Sequence, residues 1–496
     1  MKGYIIRLVA IILSISILFT LLVGCSAEGE ENQENLPPDF PDELLGITED
    51  TVWVGNTIAI TGEYADMGSS FKLGIEAAFA AYNARGGYNG KSIKLKHYDD
   101  GGIAARSLSL MEKLVFEDEV FAIVGNFGTY ALDVNLDIIK DAAIPMIYAA
   151  ADNSALLNEN ATTPGDRAVF PVRPLNLTEG RMLLLRAFAP LADASGNPLG
   201  GLGAAKVGVI YNSSEASKTL LSGINSEAEN LGEAQRANIV YSEASDADYS
   251  AAVNALKRAG CDVVILAVIG ADFLTALTAM AEAEYYCKAL TSYNNASTDM
   301  FNENNLLAPG YESIFSNVAL YAQDWIDIFS TTYVYNGDTP LNAAYKALAE
   351  AHGLTYTGTP GFNEAYWAVA EKIYSYALTV NPETALEISR DRYALEGYVA
   401  GDLFCQAMEA LEKSGKALSG ANLVSIMESQ EFRVVMADNI SFANGMRTGV
   451  QSFALTSIYD VFHLDASVGG GVRHRAESVT VHGFTTIDDY RAAIAK

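Results

Sequence analysis

From Val52 onward, short apolar runs alternate with segments in which apolar residues recur every three or four positions. The runs have the pattern of strands buried on both faces and the periodic segments that of one-sided helices, so the alternation predicts parallel sheets covered by helices. A strand is expected over Thr57 to Ile60, then a helix carrying Phe71, Ile75, Ala78, Phe79 and Tyr82 that ends at Gly86 and Gly87. Strands at Ile93 to Tyr98, Phe121 to Val124 and Ile144 to Tyr148, with helices around Ala104 to Val115 and Ala131 to Ile139, nearly complete one βα domain. After an irregular stretch from Pro164 to Asn176 the alternation restarts. Strands at Lys206 to Tyr211, Asn238 to Tyr241, Asp262 to Val268 and Lys288 to Ser292 are separated by helices near Ser217 to Leu231, Tyr249 to Ala259 and Phe273 to Ala283. Beyond Ile314 to Leu320 the pattern is mainly helical, with aromatic-rich helices at Asn363 to Leu378 and Arg392 to Leu411. A β-rich tail from Arg433 has to rejoin one of the sheets. The fold class expected is α/β, with two doubly wound parallel-sheet domains. Ligands of such sheets bind beyond the carboxyl ends of the strands, so a cleft between the two domains is the site to search.

The amino terminus changes the picture of location. Lys2 and Arg7 precede an unbroken apolar or small run from Leu8 to Leu22, the layout of a secretory signal. The run is short for a membrane span, which needs about 20 apolar residues, and it stops at Leu22-Val23-Gly24-Cys25-Ser26, which resembles the lipobox of bacterial lipoproteins. That resemblance implies cleavage before Cys25 and a diacylglycerol on its sulfur, against the plainer reading of an uncleaved anchor that contains a cysteine. Ser26 to Asp50 then holds nine carboxylates and no Lys or Arg. Such a stretch repels itself and is expected to be a solvated tether that reaches roughly 80 to 90 Å when extended.

Charge and motifs narrow the chemistry. The chain has 32 basic and 61 acidic residues, net −29, which excludes a nucleic-acid partner. With Cys25 committed to lipid, Cys261, Cys287 and Cys405 remain, and Cys261 could pair with Cys287 across one strand–helix unit. Gly86-Gly87-Tyr88-Asn89-Gly90-Lys91-Ser92 misses the phosphate-loop spacing by one residue and joins a helix to a strand, so it reads as a turn. No H-E-x-x-H, paired C-x-x-C or G-x-S-x-G pattern occurs, and the five histidines are scattered. No catalytic residue, metal site or cofactor is expected, although counting carboxylates does not dismiss a two-carboxylate hydrolase.

The order and spacing of Thr61-Gly62, Gly68, Asn83-Ala84-Arg85-Gly86-Gly87, Gly90-Lys91 and Tyr98-Asp99-Asp100 resemble the opening of the leucine/isoleucine/valine-binding-protein family. Ile123 to Thr129, Ile144 to Ala150, Val207 to Tyr211 and Ala259 to Asp262 continue the resemblance, with Glu396-Gly397-Tyr398 and Ile440-Ser441-Phe442 as later echoes. These are type I periplasmic binding proteins, which deliver solutes to ABC importers. The resemblance implies two doubly wound lobes joined by a three-crossing hinge. Residues 51–174 plus about 318–435 would form the first lobe, and 175–317 plus about 436–496 the second, behind a signal over 1–24 and a lipidated tether over 25–50. The crossings would lie near Val172 to Leu175, Ser316 to Leu320 and Val434 to Ile440. It also implies a monomeric, extracytoplasmic, lipid-anchored binding protein, not an enzyme, that hands a small polar, amino-acid-like ligand to a permease. A sensory protein presenting its closed form to a chemoreceptor or kinase would have the same sequence features, as would a hydrolase on this scaffold.

By the resemblance, the hydroxyl that binds a ligand carboxylate falls on Thr129 and the next contact segment on Ala150, Ala151 and Asp152. The position of the acidic partner of a ligand ammonium falls on Asn294, and the covering aromatics on Met67, Ala216 and Ile269. Tyr64, Tyr130, Tyr211 and Tyr293 complete the candidate ligand set. Each has a plain role open to it as well: Thr129 and Asp152 as helix caps, Asn294 and Asn295 as turn formers, Tyr64 as a surface residue.

Overall fold

The computed structural model describes residues 45–495, except 194, 246–247, 304–305 and 466–470. The signal segment, Cys25 and the tether as far as residue 44 lie outside the described residues. Among the described residues no helix is long and apolar enough to cross a membrane.

Two sheets organise the chain. The first has five parallel strands in the order Ser92–Tyr98, Thr51–Thr57, Ala122–Phe127, Met146–Ala150, Val169–Phe170. The second contains Ile239–Glu243, Val207–Tyr211, Val263–Leu266, Cys287–Thr291 and Val318–Asp324, also parallel and in the same order of second, first, third, fourth, fifth. The order reverses beside the first strand of each set, and such a reversal opens a crevice at the carboxyl ends of the flanking strands. The β-rich tail supplies Ser452–Asp465 and Gly471–Thr486, which extend the second sheet antiparallel, so that sheet is mixed.

The first strand lies earlier than expected, at Thr51–Thr57, where it pairs residue for residue with Ser92–Tyr98, while Ile58 to Ile60 already form the loop beyond it. A larger difference is the helix Asn176–Phe188, which is absent from the expected elements. Met182 to Ala187 are all buried, so the helix has no polar stripe to reveal it. It packs on Glu215–Ala228, where Gly180 and Gly223 bring the two backbones together, and its buried Arg186 donates to the carbonyls of Phe453 (2.7 Å) and Ala454 (2.9 Å).

The chain passes between the sheets at places that differ from two of those expected. Val318–Asp324, assigned above to the first lobe, pairs in the second sheet, so the passage follows Asp324. Arg447 still bonds to neighbours of the first sheet, donating through Nη2 to the Arg167 carbonyl at 2.8 Å. The last passage therefore falls later than Val434 to Ile440, where Val450 N–H donates to the Val172 carbonyl at 2.8 Å. Between passages, the helices Glu364–Val380 and Arg392–Ser414 cover the helix Ala65–Asn83. A two-stranded ribbon, Phe329–Tyr335 with Thr359–Phe362, stands before them, its Tyr335 ring stacked on Trp367 at 4.3 Å. The glycine-rich segment is a turn closed by Tyr88 and Lys91, and Lys91 Nζ holds the carbonyls of Thr48 and Glu49. Cys261, Cys287 and Cys405 are free thiols, so the disulfide considered for the first two is not formed.

Candidate functional site

The loops beyond the first sheet are tied to one another by carboxylates. Asp99 accepts from the N–H groups of Ile60 and Gly101 (3.0 Å each) and from the Thr61 hydroxyl (2.7 Å), joining the loops that follow the first two strands. Asp100 accepts from Gly102 N–H and, at 2.8 Å, from the Tyr130 hydroxyl, which burial and the Asp100 charge keep protonated. The Tyr130 ring stacks on Tyr64 (5.6 Å, 11°), and Met67 in the first turn of the adjoining helix is 39% exposed. Tyr64, Met67 and Tyr130 thus sit beside the crevice where the strand order reverses.

Next to them, the strand Met146–Ala150 is bent. Tyr148 adopts φ 60° opposite Gly125 at φ 69°, a backbone that a bulky residue adopts only at a cost of about 1–3 kcal/mol. The Tyr148 hydroxyl donates to Glu396 at 3.1 Å, and its ring lies against Phe71 and Trp325, which hold it there. Ala150, Ala151 and Asp152 follow directly on this bend. Gly128 N–H donates to the Ala150 carbonyl, and Asp152 N–H donates to the Thr129 hydroxyl at 3.1 Å. Thr129 therefore joins two loops and does not cap its helix, whose N-cap is Gly128 with no side-chain bond.

A carboxylate at Asp152 would repel an anionic ligand group unless it turned away. Its Oδ1 instead accepts Asn176 N–H at 3.0 Å, in the first turn of the helix Asn176–Phe188, where the helix dipole favours an acid. Burial raises its pKa, and the Asn176 bond opposes that rise. From Asn176 the hydrogen bonds continue into the second sheet. Asn294 Nδ2 donates to Asn176 Oδ1 (3.5 Å) and Ser292 Oγ (3.0 Å), while Asn294 Oδ1 accepts from Arg173 Nη2 (2.9 Å). Arg173 Nε donates to the Tyr293 hydroxyl at 2.9 Å, and the guanidinium lies 5.1 Å from the centre of the Tyr293 ring. Thr129, Ala150, Asp152, Asn294 and Tyr293 are thus brought into one chain of contacts. Tyr211 is outside it: it ends its strand, accepts Ala244 N–H through its carbonyl, and packs its ring against the core.

Below this chain lies a row of ion pairs. Arg392 grips Asp324 with two 2.8 Å bonds and reaches Glu396 at 3.2 Å, and Glu396 lies 3.8 Å from Arg173 Nη1. Glu179 is fully buried, accepts from Tyr293 N–H (2.7 Å) and Ser292 Oγ (2.8 Å), and its pKa is pushed up to about 7 by burial. Sequence reasoning missed Arg173, Asn176, Glu179 and Arg392, and it quoted Glu396 without a role. One signal was present for Arg173: a charged residue held between Pro171 and Pro174 in an otherwise apolar run. Of the histidines, His97 is a strand residue whose Nδ1 lies 3.1 Å from Asn56 Oδ1, and burial lowers its pKa to about 4.

The family model described as periplasmic binding protein matches residues 51–460. Leu/Ile/Val-binding protein homolog 2 of Brucella abortus is 28% identical over 226 residues, which are 43% of this chain and 53% of the relative. The Leu/Ile/Val-binding protein of Escherichia coli is 28% identical over 131 residues, 26% of this chain and 32% of the relative. The chain spans about half the length, or less, of these two curated relatives. Among solved structures, a branched-chain amino acid ABC transporter protein from Thermus thermophilus with bound valine aligns with TM-score 0.56 at 13% identity, over 91% of this chain and all of the other. A fatty acid ABC transporter substrate-binding protein from Thermomonospora curvata aligns with TM-score 0.56 at 17% identity, over 90% and 95% of the two chains. At such identities the two structures testify to the fold alone.

Proposed function

The chain belongs to the periplasmic binding protein family, and from that premise we propose that it is an extracytoplasmic, lipid-anchored solute-binding protein of an ABC importer. It captures a small polar ligand between two lobes built on the two sheets and hands it to a permease. The lobes divide at the three passages near Val172, after Asp324 and near Val450. The observation that carries this reading is the contact chain Thr129–Asp152–Asn176–Asn294–Arg173. It joins loops at the carboxyl ends of both sheets, where a ligand would touch both and favour closure. A lipid on Cys25 with an acidic tether would keep such a catcher beside its importer.

Thermal shift on the full chain in detergent, against amino acids, amides, nucleosides, sugars and polyamines, tests capture. A ligand at about 100 times its Kd raises stability by roughly 2.7 kcal/mol. With a ligand in hand, Thr129→Ala is expected to weaken binding by about tenfold in calorimetry, because the Asp152 loop loses its hydroxyl acceptor and the ligand a neighbouring donor. Unchanged affinity would remove Thr129 from the site.

A further inference from the structure

We infer that the ligand of this cleft carries a carboxylate that docks on Arg173, and that it needs no ammonium group. The inference rests on the solute-capture reading and names the class of solute. Pro171 and Pro174 fix the backbone on either side of Arg173, and the Tyr293 ring fixes the guanidinium plane. Of the guanidinium nitrogens, Nε and Nη2 are spent on the neutral oxygens of Tyr293 and Asn294. Nη1 lies 3.8 Å from Glu396 Oε2, beyond hydrogen-bond reach, so donors on that edge remain for an incoming acceptor.

Exposure decides which sign of charge a ligand meets. Asp324 and Glu396 are 1% and 4% exposed, whereas Arg173 and Arg392 are 18% and 26% exposed. The carboxylates lie beneath and the guanidinium groups reach the surface. Of the acids within the contact chain, Glu179 accepts from Ser292 and Tyr293 N–H, and Asp152 Oδ1 accepts Asn176 N–H. Asn294, at the position expected to receive a ligand ammonium, has its oxygen turned to Arg173. At Asn294 an ammonium would face a guanidinium with the amide oxygen already taken, while a carboxylate would gain charge-assisted bonds.

The test is calorimetry on the full chain in detergent with matched probes: butyrate against butyramide, glutarate against glutaramide, leucine, putrescine, glucose and adenosine. An acid should bind and its amide should not. Arg173→Gln should weaken the acid at least about tenfold, and Arg173→Lys should restore part of the loss. Should Arg173→Gln fail to fold, the acid and amide pairs on the unmodified chain decide the matter. A neutral or amine probe that binds equally well to Arg173→Gln overturns the carboxylate assignment and leaves solute capture standing. Silence from every probe, with a folded chain, overturns solute capture and this assignment with it.

Discussion

Gly397→Ala should destabilise the fold by about 2 kcal/mol or more, although alanine is the better helix former. A Cβ built at Gly397 would lie 1.9 Å from the Phe71 carbonyl oxygen, and one at Gly74 on the facing helix 2.0 Å from the Ala394 carbonyl. At Gly401, one turn on, it would meet the Ala78 Cβ at 2.7 Å. The helices Ala65–Asn83 and Arg392–Ser414 thus cross backbone to backbone, and a carbonyl cannot swing aside as a side chain can. Helix propensity would favour alanine by about 1 kcal/mol, whereas overpacking a tight contact costs about 1–3 kcal/mol and occasionally more. Here the helices themselves must separate, which also strips contacts from Phe71, Phe79 and Phe404 around the crossing, so the steric term wins. Urea unfolding reads the loss as a lower midpoint. Gly483→Ala is the control, since that glycine has nothing within 4 Å of its built Cβ and an ordinary φ, and its midpoint should not fall. Equal midpoints for Gly397→Ala and the unmodified chain would refute the close crossing.

The same helix pair shows where the sequence was legible. Strands buried on both faces and helices with one buried side carry their period openly, so most of the βα alternation could be read, and its tail's return to a sheet followed from the need to pair its edges. The helix Asn176–Phe188 hid because it is buried nearly all round, and Val318–Asp324 went to the wrong side because pairing partners are set by tertiary packing. At the site, Thr129, Ala150, Asp152 and Asn294 were reachable from loop position. Arg173, Glu179 and Arg392 were not: their roles come from partners about 70 to 220 residues away in sequence, and no local pattern encodes such a pairing. Asn294, at the position of the family's acidic ammonium partner, accepts a bond from Arg173 through its amide oxygen, which the residue type alone could not reveal.

Glu179 gives the second large effect, on pH dependence. Its pKa is about 7 in the folded chain against 4.5 for the ordinary side chain, with burial the main cause and bonds from Tyr293 N–H, Ser292 and Gln323 and the charge of Arg173 opposing it. Between those values the folded chain holds a proton that the unfolded chain has released, so raising the pH favours unfolding. Below pH 4.5 both forms are protonated and nothing is lost; above about 7 both are ionised and the whole cost is present. At about 1.4 kcal/mol per unit the window is worth on the order of 3 kcal/mol. Other buried acids, Asp152, Asp327, Asp391 and Asp402, shift the same way, and Asp118 and Asp166 the opposite way, so the slope of the unmodified chain is a sum. The difference between it and Glu179→Gln isolates one group: that variant should be the more stable of the two above pH 7, with the gap closing as the pH falls to 4.5. Glutamine can still accept Tyr293 N–H and donate to Ser292, whereas Glu179→Ala leaves both unpaired and should lose about 1–3 kcal/mol at every pH. A gap between the unmodified chain and Glu179→Gln that stays constant from pH 4.5 to 7.5 would show that Glu179 is ionised in the fold, and that the loop bearing Tyr293 and Asn294 is pinned by a charge and not by a shared proton.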